Sequence, residues 1–474
     1  MVPQNKLKDF LELTYNELEK LNTEARSLSD PLRAKSAHIK ALENESRIKA
    51  VTVCFCDIEG RLHMLDYDKN FLLDALDNLT FDGSSIRGFS ELHESDLRLV
   101  LDWTSLTYLP SDVFGPGKVA IFANIATRDL KPYESDFRGL LQQYANELMT
   151  SKGYEAFMAP ELEGFLFEGT DAEQYYDSNT GFKPISTGGY FHALPLDRLR
   201  QFIDLTAEAQ RAMGFRNEKD HPEVAPSQFE INFSYTDVLR ACDQILLYKL
   251  VCRQVAHSLG MTATFLPKPI QGLNGNGMHT NISLAKNGKN IFHDKKGQDG
   301  LSTVAWGFID KLLNRASEIS LVLNSSVNAY RRLDPNYEAP NQIKVSANDR
   351  GSMIRVPLGN ERTARIEIRS VSPDANPYLL LFTILKTGLE DKTLKSSDKR
   401  QRLRFLPGNI NDAIRLFRAS DFMTVVMGDA TKDKYIRYKQ ASAHRNPREL
   451  GSKIKESEIL YHHEITNQYL WNSF

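Results

Sequence analysis

Glu161 and Glu163 stand two residues apart in Ala159-Pro160-Glu161-Leu162-Glu163-Gly164-Phe165-Leu166-Phe167, a stretch otherwise apolar enough for a central strand. Alternation along a strand puts both carboxylates on one face, roughly 6 to 7 Å apart at ~3.3 Å per residue. A buried carboxylate without a partner is costly, so the pair must face cations or water. Each could then approach one of two neighbouring cations. Taken alone, the pair also fits the polar face of an edge strand. Further acids recur in similar settings. Glu223 and Glu230 flank a Pro-containing bend, with Glu230 in the alternating run Gln228-Phe229-Glu230-Ile231-Asn232-Phe233. His279 and Asn281 share one face of a strand that leaves the loop Asn274-Gly275-Asn276-Gly277, whose glycines admit close approach of backbone to a ligand. Arg365, Glu367 and Arg369 alternate with Ile366 and Ile368.

Recurrence is what argues against surface decoration. Glu161, Glu163, Glu223, Glu230, Glu367 and His279 supply oxygen-rich ligands that suit two hard divalent cations, Mg²⁺ or Mn²⁺, rather than zinc. Residues 327–357 add Arg331, Arg332, Lys344, Arg350 and Arg355, a density of cations fitted to a polyanion such as a triphosphate. Together they describe phosphoryl transfer from ATP assisted by metal ions. No G-x-x-x-x-G-K-[ST] phosphate loop is present.

The elements that must position these residues alternate helix and strand. An amphipathic helix over 5–25 presents Leu7, Phe10, Leu11, Leu18 and Leu21 on one face and docks on the body or on a neighbouring subunit. A β-hairpin follows over 47–66, turning at Glu59-Gly60, and opens a small sheet domain. The loop Phe81-Asp82-Gly83-Ser84-Ser85 is too rich in Gly and Ser to be regular. Ser111 to Gly117 marks a domain edge. Beyond it, helices over 134–149, up to Gly214, and over 237–259 lead into the acid-bearing strands.

Composition limits the class. At 474 residues the chain is long enough for two domains. Lys+Arg 59 against Asp+Glu 61 leaves a net charge of −2, which offers no electrostatic reason for nucleic acid or an anionic membrane. No signal core or membrane-spanning run is present, so a cytoplasmic protein acting on small molecules is expected. Cys54, Cys56, Cys242 and Cys252 match no zinc spacing and read as buried small apolar residues.

The ordered set FDGSS with ESD, PELE, GGYF, HPEVAPSQFE, NGNGMHTNIS, RRLDPNYEAP, SANDRGSMIRVP, and RIEIR followed by DANPYL resembles the glutamine synthetase family, bacterial type I class, from about Lys49 to the end. The resemblance implies an α+β fold: an amino-terminal β-grasp domain over 46–115 after a helical extension over 1–45, and a catalytic domain over 116–474 on a curved antiparallel sheet with helices outside. It implies ligation of ammonia to the γ-carboxylate of L-glutamate through γ-glutamyl phosphate, using ATP. Glu163, Glu223 and Glu230 would hold one metal, and Glu161, His279 and Glu367 the other. Asn274, Gly275, Arg332 and Arg369 match glutamate-binding positions. Glu218, His221, Asn281, Ser283, Arg350, Arg355 and Arg362 match positions around ATP, with Arg350 also catalytic. Asp82, as general base, and Ser85 match an ammonium-site loop given by a neighbouring subunit, with Tyr190 beside it. Glu338 matches a flap acid that touches substrate and closes over the intermediate. A homo-oligomer with sites between subunits, typically a dodecamer, is implied.

There are departures. Gly164 stands where an aromatic is common, Asn276 where Ser is usual, and Asn348-Asp349-Arg350 where Asn-Arg precedes Ser. No segment bearing an adenylylated tyrosine is recognisable between Gly388 and Pro407. Two other readings remain: a γ-glutamyl ligase using an organic amine, and a non-catalytic member of the fold. The carboxy-terminal EITNQYLWNSF is apolar enough to dock on a partner.

Overall fold

The structure, a computed structural model, describes residues 12–86, 89–90, 96–172, 181–193, 197–392 and 403–443. The carboxy-terminal EITNQYLWNSF, most of the basic run after Gly388, and Leu7, Phe10 and Leu11 of the first expected helix lie outside these residues.

Two helices begin the described chain, Tyr15–Ser27 and Pro31–Asn44. The first starts in a capping box in which Thr14 and Glu17 satisfy each other's backbone N–H groups; the second starts at Asp30 with Pro31 in the first turn. Leu18 is buried, and the Asn22 amide donates to the Tyr108 carbonyl at 2.9 Å and the Ala212 carbonyl at 2.7 Å. Of the two docking partners expected for this helix, the described part uses the body of its own chain.

The expected hairpin is present as Ala50–Cys56 paired antiparallel with Leu62–Asp68. Gly60, at φ +94°, turns it, and a Cβ there would lie 2.7 Å from the Asn376 Cα, so both backbone conformation and space demand glycine. Ala50–Cys56 also runs parallel to Lys118–Ala126, which pairs in turn with Asp96–Leu101, and that strand with Thr80–Asp82. The first sheet therefore extends past the expected domain boundary at 115. Val51, Val53 and Phe55 face the small domain's core, whereas Cys54 and Cys56 pack with Phe122 into the larger one. Both faces are covered, which is why the strand reads as a continuous apolar run. All four cysteines are buried and free.

The second sheet has ten strands. Its main path runs Gln342–Ser346, Ser352–Arg355, Ile366–Ile368, Met278–Lys286, Tyr154–Glu168, Gln228–Phe233, Asn217–Pro222. Pairing is antiparallel throughout except at one edge, where Gln342–Ser346 lies parallel to Ser352–Arg355 with a register shift between Gln342 and Val345. Helices Phe137–Lys152 and Val238–Ser258 pack on this sheet, Pro377–Glu390 packs against both of them, and Thr303–Leu323 packs on Pro377–Glu390. Arg138, on the helix Phe137–Lys152, ties the turn after Asp96–Leu101 to the helix Val238–Ser258: it donates to Asp102 at 2.9 Å and to Asp243 at 2.9 and 2.8 Å, and Tyr378 donates to Asp243 at 2.6 Å. Among the described residues no helix is long and apolar enough to cross a membrane.

Candidate active site

The Glu-x-Glu strand Tyr154–Glu168 lies at the middle of the larger sheet, and its two neighbours complete two groups of ligands. On one side Met278–Lys286 pairs His279 with Glu161, and the next strand pairs Glu367 with Asn281. His279 Nδ1 lies 3.4 Å from Glu161 Oε2 and 3.8 Å from Glu367 Oε1. On the other side Gln228–Phe233 pairs Glu230 with Glu163, and the next strand pairs His221 with Glu230. His221 Nδ1 lies 3.6 Å from Glu223 Oε1, and its Nε2 lies 3.6 Å from Glu230 Oε1. In each trio, Glu161, His279, Glu367 and His221, Glu223, Glu230, one ligand atom per residue falls within 4.8 Å of the others.

The first trio is one of the ligand sets expected from sequence. The second differs: His221, expected on the nucleotide side, sits between Glu223 and Glu230. Glu163 faces Glu230 across the strands, and its Oε2 accepts the Gly277 N–H at 2.7 Å. Electrostatics mark this half of the site as short of positive charge. Burial, then the neighbouring Glu163 and Glu230, push the Glu223 carboxyl up to about 9. Burial also raises Glu163 above the usual carboxylate range, with Glu230 adding to it against the pull of His279. Burial works the same way on Glu161, yet hydrogen bonding and attraction from His279, helped by Asn281, bring it down to about 2. His221 Nε2 is buried without a hydrogen-bond partner. An orphaned imidazole nitrogen among crowded carboxylates fits a divalent cation, and the donor set is the oxygen-rich one that Mg²⁺ or Mn²⁺ prefers.

Glu161, Glu163, Glu223, Glu230 and His279 line a charged cavity of about 240 Å³. Tyr190, Asn274 and Gly275 form part of its wall, and Lys219, Arg332, Arg350, Arg355, Arg365 and Arg369 supply its cations. Arg332 is buried and donates to the carbonyls of Val371 at 3.1 Å and Arg369 at 3.0 Å. Arg355 and Arg369 both pair with the fully buried Glu367, the latter at 2.6 Å. Glu338, in the left-handed region at φ +60°, accepts from Asn274 Nδ2 at 3.0 Å and from Arg350 at 3.1 Å. Glycine is required in the 274–277 loop, because a Cβ at Gly275 would lie 2.3 Å from the Pro267 carbonyl and one at Gly277 2.7 Å from an Arg332 nitrogen.

A second cavity of about 240 Å³ adjoins the first, and Glu161, Lys219 and Arg365 line both. Glu218, Asn281, Ser283 and Arg362, all expected near ATP, lie here, whereas Arg350 and Arg355 line the first cavity. Phe157 and Tyr235, edge to face at 5.8 Å, give this second cavity an aromatic wall.

Asp82 and Ser85 line neither cavity. Asp82 ends the strand Thr80–Asp82 in the smaller sheet and Ser85 ends the 3-10 turn Gly83–Ser85 that follows; both are exposed, and the Ser84 and Ser85 hydroxyls donate to the Asp82 carboxylate at 2.6 and 2.8 Å and hold it below the usual range. Gly164 has a simple local cause: a Cβ there would lie 2.5 Å from the Phe229 ring, which occupies the space. Sequence reasoning missed Lys219, Gln228, Tyr337 and the part of Arg365 in both cavities. Gln228 was within reach, since strand alternation places it on the face of Glu230; its amide donates to the Gly275 carbonyl at 3.0 Å.

Comparison with known proteins shows the family. Residues 47–127 match the family model described as the glutamine synthetase β-grasp domain, and residues 134–454 match the glutamine synthetase catalytic domain. The chain is 36% identical over 414 residues to a glutamine synthetase of Pyrococcus furiosus, covering 83% of this chain and 90% of that protein. It is 35% identical over 430 residues to one of Thermus thermophilus, covering 86% and 94%. Among solved structures, a Plasmodium falciparum glutamine synthetase superposes with a TM-score of 0.76 at 21% identity, covering 92% of this chain and 98% of that one. A complex of GmaS with ADP superposes with a TM-score of 0.74 at 25% identity, covering 88% and 98%.

Proposed function

Since the chain belongs to the glutamine synthetase family, we propose that it joins ammonia to the γ-carboxylate of L-glutamate, using ATP and passing through γ-glutamyl phosphate. The observation that carries this reading is the pair of histidine–carboxylate clusters flanking the Glu-x-Glu strand and opening onto one arginine-lined cavity.

Glu161, His279 and Glu367 would hold one divalent cation, and Glu223 and Glu230 with Glu163 or His221 the other. When bound, such ions neutralise phosphate charge as it develops in transfer. The chain's own groups do the rest. Arg332 and Arg369 would donate to a glutamate carboxylate, with Asn274 and Gly275 on the same cavity wall. Arg350 and Arg355, which line the same cavity, would neutralise the phosphoryl group. Glu218, Asn281, Ser283 and Arg362, with the Phe157–Tyr235 wall, suit the nucleoside end of ATP. Glu338, tied to Asn274 and Arg350, closes the cavity so that water is kept from the acyl phosphate. Ammonium must lose a proton to attack, and Asp82 with Ser85, beside Tyr190 of another copy, serves that end. The hydroxyls that lower the Asp82 carboxyl keep it ionised and able to draw ammonium in.

Because Asp82 and Ser85 stand away from the cavities of their own chain, the reading needs a homo-oligomer with sites completed between subunits, a dodecamer in the form the resemblance suggests, acting in the cytoplasm. Use of an organic amine is the second reading, favoured by the likeness to GmaS. Phosphate release from ATP and glutamate, with products identified by mass spectrometry, separates the two when ammonium is compared with a panel of amines. Glutamine formed from ammonium at the highest kcat/KM supports the first reading; an amine preferred over ammonium supports the second.

A further inference from the structure

Lys268 takes no part in the site as described so far, yet it touches both of the segments that close it. It is buried, and its backbone is clamped to one side chain: its N–H donates to Asn328 Oδ1 at 2.6 Å and its carbonyl accepts from Asn328 Nδ2 at 3.2 Å. Its ammonium donates to the Leu273 carbonyl and lies 3.8 Å from the centre of the Tyr337 ring. Leu273 immediately precedes Asn274, and Tyr337 immediately precedes Glu338. Asn274 and Glu338 are themselves hydrogen-bonded at 3.0 Å. One ammonium therefore joins the two segments a single residue behind the point where they meet over the cavity. The approach is tight, since a Cβ on Gly275 would lie 3.4 Å from Lys268 Cδ.

We propose that Lys268 is a positioning residue that latches the flap over 333–340, through the face of Tyr337, to the loop over 273–277, holding Glu338 over the reacting carboxylate while the acyl phosphate exists. This rests on the reading of Glu338 given under the proposed function. The attraction between an ammonium and an aromatic face is strong where water is excluded, and it requires the charged form. The charged groups facing Lys268 are Asp334 on the flap and Arg332 at the end of the helix Val327–Arg332. They oppose each other, Asp334 favouring the ammonium and Arg332 disfavouring it, and burial, the larger effect, brings the group down to about 8. The latch is thus set below pH 8 and loosens as the pH rises through that value.

The test is the ratio of phosphate released to glutamine formed by the full-length enzyme, measured from pH 6.5 to 9.5 together with 5-oxoproline, the cyclisation product of a released acyl phosphate. Lys268→Met should raise the ratio at all pH values and lower kcat roughly tenfold, the loss expected when one desolvated cation–ring contact is removed. KM for ATP should stay within about twofold, because the latch does not touch the nucleotide cavity. Wild type should uncouple progressively above pH 8, whereas Lys268→Arg, whose guanidinium does not titrate there, should restore coupling and abolish that rise. Tyr337→Leu removes the ring from the half-buried flap and should reproduce the uncoupling even if the buried Lys268→Met does not fold, while Tyr337→Phe should not. Tight coupling and wild-type kcat in both Lys268→Met and Tyr337→Leu overturn the latch alone. Failure of wild type to release glutamate-dependent phosphate overturns the proposed function and the latch with it.

Discussion

Glu163 and Glu230 are register partners on adjacent antiparallel strands, and His221 is the partner of Glu230 on the next strand over. Three titratable side chains thereby stand in a row across the sheet, with Glu223 just beyond its last strand. Glu223 and Glu230 are buried and Glu163 is partly so, and Glu163 and Glu230 both disfavour ionisation of Glu223.

The first prediction follows from that repulsion. The Glu223 carboxyl is raised in the folded chain to about 9, so its contribution to stability is present below the ordinary carboxylate range and is lost as pH rises towards 9. In chelator, the melting temperature should fall across that window. Mg²⁺ or Mn²⁺ should restore it, most strongly at the alkaline end, and Glu223→Gln should flatten the metal-free profile. Calorimetry in chelator and in metal decides the matter; a metal-free profile that is flat or rises with pH contradicts it.

Glu367 is fully buried and pairs with both Arg355 and Arg369. Truncation to alanine would leave two guanidinium groups unopposed, so Glu367→Gln is the informative change. Product formation should drop by about 10² or more, the scale seen when one group that stabilises transition-state charge is lost, while the circular dichroism spectrum stays native. Activity within tenfold of wild type would refute the assignment.

Arg138 ties the end of the smaller sheet to the helix Val238–Ser258 through Asp102 and Asp243. Arg138→Met leaves two buried carboxylates without their cation and should destabilise the fold by ~3–5 kcal/mol. Chemical denaturation reads this directly. A change below about 1 kcal/mol, the range of a surface pair, would mean that the buried carboxylates find other compensation.

How much of this was legible beforehand depended on whether a property is local. Period-two alternation made Glu161 and Glu163 share a face, and the same rule set Glu367 against Ile366 and Ile368. The helix over 237–259 and the Gly60 turn were legible for similar reasons. Register was not. Nothing in the spacing of Glu163 and Glu230, 67 residues apart by subtraction, says that they face each other, and so His221 was assigned to the nucleotide side when its neighbours are carboxylates. Lys268 was missed because a lone lysine in a loop looks like solvated surface until the fold buries it, and Lys219 because only the pairing of its strand brings it to both cavities. The helix Pro31–Asn44 was passed over as an individual element, although Asp30 and Pro31 announce its start.

The separation of Asp82 from the cavities of its own chain gives a prediction about assembly. Asp82→Ala should impair use of ammonium far more than glutamate-dependent phosphoryl transfer. If subunits share sites, mixing inactive Asp82→Ala and Glu367→Gln protomers under conditions of exchange should recover activity, at sites that pair an intact loop with an intact cluster. Mixed oligomers without recovered activity would show that each subunit works alone.

The central claim is that ATP phosphorylates the γ-carboxylate of glutamate before nitrogen attacks it. Glutamate labelled with ¹⁸O in that carboxylate tests this most directly, with ammonium and ATP supplied and the released phosphate analysed by mass spectrometry. Transfer through γ-glutamyl phosphate carries one labelled oxygen into phosphate for every glutamine formed. Glutamine accompanied by unlabelled phosphate would contradict the account.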